Sequence, residues 1–272
     1  MTTTLAPRRH VPRAVRRLWY GIGSLGGALV LLVLAELLTR TGILPSRYLP
    51  PPSEVLVVLA GELATSEAWL AVASTLRGWA FGLGIAILVA VPLGVLIASN
   101  EFFYRATRPI IEFLRPVPSV ALIPLVFLMF AGALDNGKVF LAVFAATWPL
   151  LVQTVYGVRN ILPAQIDTAR SFQIPTVDIL TRVVIPATVP YLATGIRISS
   201  TVALILVLTG EIVIGGSGIG VAINDARQGN AITAMYAYVV LAGVLGLVLN
   251  AAFAALERRA LHWHPSQRGV TS

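Results

Sequence analysis

The chain has 272 residues, 57% hydrophobic and only 12% charged, with a mean hydropathy of +0.83. Soluble domains carry about a quarter charged residues, so these proportions exclude an ordinary soluble domain and describe an integral membrane protein. The net charge of +8 is spread over loops and argues against a nucleic-acid partner, while the lack of cysteine excludes disulfides, thiolate metal sites and a cysteine nucleophile.

A helix needs roughly 20 apolar residues to cross the hydrocarbon core, and six stretches qualify. Residues 1–17 read as a cytoplasmic tail. The first span, 18–38, carries Glu36 near its end and is too long for the core of a cleavable signal peptide. The longest outer loop, 40–77, opens on a turn at Leu49, Pro50, Pro51 and Pro52, after which Ser53 is predicted to cap a short helix from Glu54. The second span, 78–100, lies uncharged between Arg77 and Glu101, and the third and fourth, 116–134 and 139–158, are also charge-free. The fifth, 186–214, contains Arg197 and Glu211, and the sixth is 231–256. Together, 18–259 read as one transmembrane domain, followed by a cytoplasmic tail, 260–272. Gly23 with Gly27, and Gly78 with Gly82, provide small faces for packing between helices of the same chain.

Orientation follows from the basic loops. With the N-terminus inside, fourteen of the twenty basic residues fall on the cytoplasmic side, among them Arg105, Arg108, Arg115, Arg159, Arg170 and Arg182. Arg40, Arg47, Arg77, Lys138 and Arg227 fall outside. An even span count then puts both termini in the cytoplasm.

Between the fourth and fifth spans runs a polar stretch, 163–186. Pro163 suits a first helical position, Ile166, Ala169 and Phe172 recur at three-residue spacing, and Pro175 stops the run. The spacing predicts a short surface helix over 163–172. It could present an apolar knob to a cytoplasmic partner, or lie as an amphipathic connector on lipid headgroups. Within the fifth span Arg197 and Glu211 are fourteen residues apart and too distant along the axis to pair. They share a stripe with Ser200, Thr201, Leu204 and Leu208. That stripe suits a helix lining a translocation path, and equally two charges reaching for opposite interfaces.

Other motifs carry little chemistry. Gly132 to Lys138 matches G-x-x-x-x-G-K, but Val139 stands where a phosphate loop needs Ser or Thr, and apolar spans flank it. Lys138, the only lysine, is therefore expected in an outer loop, where Lys138→Ala should leave transport nearly unchanged. Gly216, Ser217, Gly218 and Gly220 read as a flexible outer turn. His10, His262 and His264 lack metal-ligand spacing, and no H-E-x-x-H or nucleophile elbow occurs. The sequence implies no metal, cofactor or catalytic residue of its own.

The 163–186 stretch resembles the EAA motif of binding-protein-dependent ABC importer permeases, E-A-A-x3-G-x9-I-x-L-P. Asp167, Thr168 and Ala169 take the E-A-A places, and Val183, Ile185 and Pro186 the I, L and P places. Pro50, Pro52, Ser53, Glu54 and Val55, then Ser74 to Arg77, Arg115 to Pro118, Ile123 and Pro124, Asn224 to Arg227, and Leu256 to Arg259 are similar to the nitrate, sulfonate and taurine branch. Two places depart. Gln173 stands at the motif's Gly, where a left-handed turn costs a side chain on the order of 1 kcal/mol. Leu162 replaces an Asp cap worth about 1 kcal/mol.

The resemblance implies an all-α type I permease fold of six spans with a cytoplasmic coupling helix. The residues coupling it to the ATPase would be Ile166, Asp167, Thr168, Ala169, Phe172, Gln173 and Pro186. It also implies a bacterial inner-membrane importer of a small nitrate-, sulfonate- or taurine-like solute. Its partners would be two ATP-binding subunits, a second permease copy, membrane lipid and a periplasmic or lipid-anchored binding protein. ATP hydrolysis would belong to the separate subunits. A secondary transporter or channel is the alternative, although Glu36 and Glu211 both lie near span ends rather than at the middle of the membrane.

Overall fold

A computed structural model describes residues 13–161 and 163–261; His10, Leu162, His262, His264 and both extreme tails lie outside them. No strand occurs among the described residues. Two compact units divide the chain, 1–58 and 59–272.

In the first unit, α1 (Arg13–Arg40) contains the expected first span and ends on a local polar knot. The Glu36 carboxylate accepts Arg40 Nε at 2.6 Å, the Ser53 hydroxyl at 2.6 Å and the Ser53 N–H at 3.0 Å. Ser53 is therefore not the cap expected of it. Helix α2 (Pro52–Glu62) starts two residues before Glu54. Pro51 O takes the Glu54 and Val55 N–H groups, and Pro52 occupies the first helical position, where its missing N–H costs nothing.

The second unit is a bundle of long helices. Helix α3 (Ser66–Ser99) starts twelve residues before the expected second span, because Thr65 accepts the Ala68 N–H and Arg77 continues the helix. The third span, 116–134, is not one helix. Helix α4 (Glu101–Leu114) ends before Arg115, a 3-10 turn follows over Ser119–Leu122, and α5 (Ile123–Met129) has only seven residues. Pro116, Pro118 and Pro124 withhold the amides and φ freedom a continuous helix needs, and the two arms bend by 79°. Helix α6 (Leu134–Arg159) covers the fourth span.

After α7 (Pro163–Ser171), the chain does not pause at Pro186 as expected. It is helical from Thr176 to Val213: α8 (Thr176–Ile179), a π-turn over Leu180–Val184, and α9 (Ile185–Val213). Pro186 fits because it sits in the first turn of α9. Helix α10 (Ile219–Gln228) leads into α11 (Ile232–Ala260), the sixth span.

Small residues set the packing. Gly78, Gly82 and Gly94 of α3 face Lys138, Ala142 and Thr154 of α6, each partner sixty residues on, so α3 and α6 run parallel. A Cβ on Gly82 would stand 2.5 Å from that of Ala142. Gly157 faces Thr188 and Tyr191, Gly195 faces Gln153, and Gly210 faces Lys138, so α9 runs antiparallel to α6. Ala86, Ala142, Ala146, Ala203 and Val207 fill the seam. Parallel neighbours need a connection that crosses back, and the bent α4–α5 pair supplies it. Four long apolar helices, or five spans counting that pair, are present from residue 66 onward.

Candidate functional site

Helix α7 forms where the sequence places it, and its C-terminus is a Schellman turn. Ile174 N–H donates to Ala169 O at 3.1 Å and Gln173 N–H to Arg170 O at 2.8 Å. Gln173 takes φ 55°, the left-handed conformation the motif's glycine would adopt. The expected apolar knob is rearranged. Phe172 is 76% exposed, Ile166 half-buried and Ala169 buried within its own chain. The geometry explains this, since the turn folds Ile174 back toward Ala169. Asp167 and Thr168 are exposed. The three apolar residues therefore do not share one exposed face, and Ala169→Glu would disturb α7 itself.

The stripe on α9 is also divided. Arg197 neither pairs with Glu211 nor stands alone, because its Nη1 lies 3.2 Å from Glu257 Oε2 of α11. Ser200 is buried, and its carbonyl accepts the Trp79 indole N–H at 3.1 Å. Leu204 is buried, Leu208 half-buried and Thr201 exposed.

Glu211 is fully buried and belongs to a polar cluster that sequence reasoning missed. Its carboxylate lies 3.0 Å from Lys138 Nζ, itself 2% exposed. The lysine is thus no outer-loop residue, and the phosphate-loop pattern is helix from Leu134 onward. Lys138 Nζ also reaches Asp135 at 2.8 Å, Ser74 Oγ at 3.0 Å and the Ser217 carbonyl. Thr75 Oγ1 donates to Glu211 at 2.9 Å and accepts the Ile219 N–H at 2.9 Å. Gly220 N–H donates to Glu211 Oε2 at 3.0 Å, and Ser217 donates to Asp135.

The glycine-rich turn expected to be flexible is therefore tied to α3, α6 and α9. Its glycines serve close approach. Gly218 takes φ 138°, closed to other residues, and a Cβ there would overlap the Glu211 carboxylate. A buried pair of this kind adds little over an apolar substitute, but losing one partner strands a buried charge. Its effect is to fix the start of α10 against three helices.

No cluster of potential metal ligands occurs among the described residues. A sequence family described as "binding-protein-dependent transport system inner membrane component" matches residues 90–262. The nitrate import permease protein NrtB of Leptolyngbya laminosa is 30% identical over 70% of this chain and 68% of its own length. The taurine transport system permease protein TauC of Escherichia coli K12 is 27% identical over 89% of each. Among solved structures, an inward-facing form of the MetNI methionine ABC transporter matches with a TM-score of 0.61 and 19% identity. That match covers 71% of this chain and 96% of the other, a likeness of fold.

Proposed function

The chain belongs to the family of binding-protein-dependent transport system inner membrane components, and on that premise we propose how this permease subunit of an ABC importer works. It pairs with a second copy, receives its solute from an external binding protein, and is driven by two separate ATP-binding subunits. It lies in the bacterial inner membrane with both termini in the cytoplasm, consistent with the basic bias of its inner loops. The solute is a small oxyanion or sulfonate, the class named for the nitrate and taurine relatives.

One observation carries the coupling role: a nine-residue polar helix between two spans, closed by a strained left-handed residue and tipped by a bare phenylalanine. A connector lying on lipid has no need of a strained stop. Phe172 enters a groove of the ATP-binding subunit, while Asp167 and Thr168 flank it and Gln173 and Pro186 fix where α7 joins α9. Power from closing the ATPase dimer then passes through α8 to α9. That helix lines the path where the expected stripe stays open, at Thr201 and beside Arg197 and Leu208, while Ser200, Leu204 and Glu211 are buried against neighbouring helices.

The test is Phe172→Glu in the assembled transporter. Co-purification of the ATP-binding subunits and solute-stimulated hydrolysis should both fall, with the permease still inserted. Retention of both would leave α7 a surface connector and remove the coupling reading.

A further inference from the structure

Helix α4 is amphipathic, with a charged face and an apolar face. At 100° per residue, Glu101, Arg105, Arg108, Glu112 and Arg115 fall on one arc with Tyr104. Phe102, Ile110 and Phe113 occupy the other side, and Phe102 and Phe113 are about three-quarters exposed. Both faces are open, since the side chains of Arg105, Arg108 and Glu112 are 60–79% exposed as well. The arc with Tyr104, Arg108, Ile111 and Arg115, at spacings of four, three and four, faces α6.

Between the two helices is a cavity of about 120 Å³, closed on the α6 side by Leu151, Val152, Val155 and Tyr156. Arg108 and Arg115 belong to the basic segments read as cytoplasmic, so the cavity lies toward the inner end of the bundle.

The charges there do not balance. Arg105 and Arg159 share Glu101, and Arg108 pairs with Glu112 through Nε alone, at 2.7 Å. Arg115 has no acidic partner among the described residues. Of these, Arg108, Glu112 and Arg115 line the cavity, two guanidinium groups against one carboxylate. Arg159 stacks 3.7 Å over the Tyr104 ring, which holds the phenol at the rim. Arg115 is the guanidinium left over in that lining, beside the phenol of Tyr104, and a planar guanidinium suits a flat or tetrahedral oxyanion.

We infer that the α4–α6 cavity is an oxyanion site, with Arg108 and Arg115 as the principal donors, and a station for the solute on its way through the membrane. The station rests on the reading given under Proposed function; the oxyanion chemistry does not. A lipid phosphate offers the same oxygens as a free anion, and the experiment separates them.

Val152 lines the cavity and the chain has no cysteine, so Val152→Cys gives a single reporter. The assembled transporter is placed in nanodiscs of phosphatidylcholine alone or mixed with phosphatidylglycerol. It is then labelled with an anionic and a cationic methanethiosulfonate. A basic cavity concentrates anions about tenfold or more, so the anionic reagent should react faster by that factor. Nitrate or inorganic phosphate should slow it in both lipids. Arg115→Gln and Arg108→Gln should abolish the preference, and Arg115→Lys should restore part of it.

Protection that appears only with phosphatidylglycerol, and without added anion, upholds the oxyanion site but assigns it to a lipid headgroup and overturns the station. Equal labelling by both reagents overturns the site. ATP hydrolysis on the same sample separates the two readings. A hydrolysing complex without anion preference refutes the site alone, whereas a permease that never assembles with an ATPase refutes the transporter on which the station rests.

Discussion

Replacing Lys138 by alanine is the sharpest perturbation the structure offers. The lysine is 2% exposed and contacts Glu211, Asp135, Ser74 and Ser217. Asp135 is largely exposed and can be rehydrated. Glu211 is fully buried and cannot. It keeps the Gly220 N–H on one oxygen, while the single Thr75 proton cannot serve both oxygens at once. Breaking a buried pair from one side costs about 3–5 kcal/mol. The retained donors place this case near the lower end, about 3 kcal/mol, which is roughly a hundredfold in an equilibrium constant.

Thermal unfolding of the detergent-solubilised permease should show Lys138→Ala strongly destabilised and Glu211→Gln less so. The Lys138→Met, Glu211→Gln double variant should recover much of the loss, because it leaves no buried charge. Fluorescence from a label at the start of α10 should report release of that helix before the bundle melts. Wild-type melting of Lys138→Ala, with additive effects in the double variant, would refute a coupled buried pair.

Three further expectations follow from single residues. Gln173→Gly relieves the left-handed conformation at φ 55°, so α7 should gain about 0.5–1 kcal/mol after the added unfolded-state freedom of glycine is counted. Slower hydrogen exchange at the Ile174 amide measures it, and faster exchange contradicts the turn. Gly218→Ala meets the Glu211 carboxylate from a forbidden φ. It should cost several kcal/mol, seen as loss of folded protein on size-exclusion chromatography, whereas Gly132→Ala, which meets open space, should not. Cysteines at Thr201 and Ser200 should divide: Thr201→Cys labels with maleimide and Ser200→Cys resists, since only the first is exposed. The reverse order would mean that the bundle opens along a different face.

The two charges of the fifth span show where sequence reading stopped. A fourth span opening at Val139 has its boundary one residue after Lys138, which leaves the lysine outside the membrane. Arg197 was then the only basic residue left within a span to weigh against Glu211. Two intramembrane charges of opposite sign on different spans were the available signal, and the expectation that such groups pair would have favoured Lys138 with Glu211 and Arg197 with an acid elsewhere. The partner Glu257 lies 60 residues on, in the last turns of α11. No local pattern encodes either distance.

Hydropathy and spacing by themselves determined the membrane class, the positions of the long spans and the existence of α7 between Pro163 and Pro175. The resemblance to the importer motif indicated where strain would fall, at Gln173 in the place of its glycine. These are local properties, set by transfer free energy summed over consecutive residues and by backbone preferences within a turn. Only the tertiary structure decided that three prolines divide the third span, that Ala169 turns inward while Phe172 stays bare, and that the glycine-rich turn is pinned. It also decided that α4 turns its arginines toward a cavity. The proline break and the turn at Ala169 are local geometry, but the pinned turn and the cavity depend on which side of a helix meets which distant helix, and small residues that permit close contact carry no label for the partner they will meet.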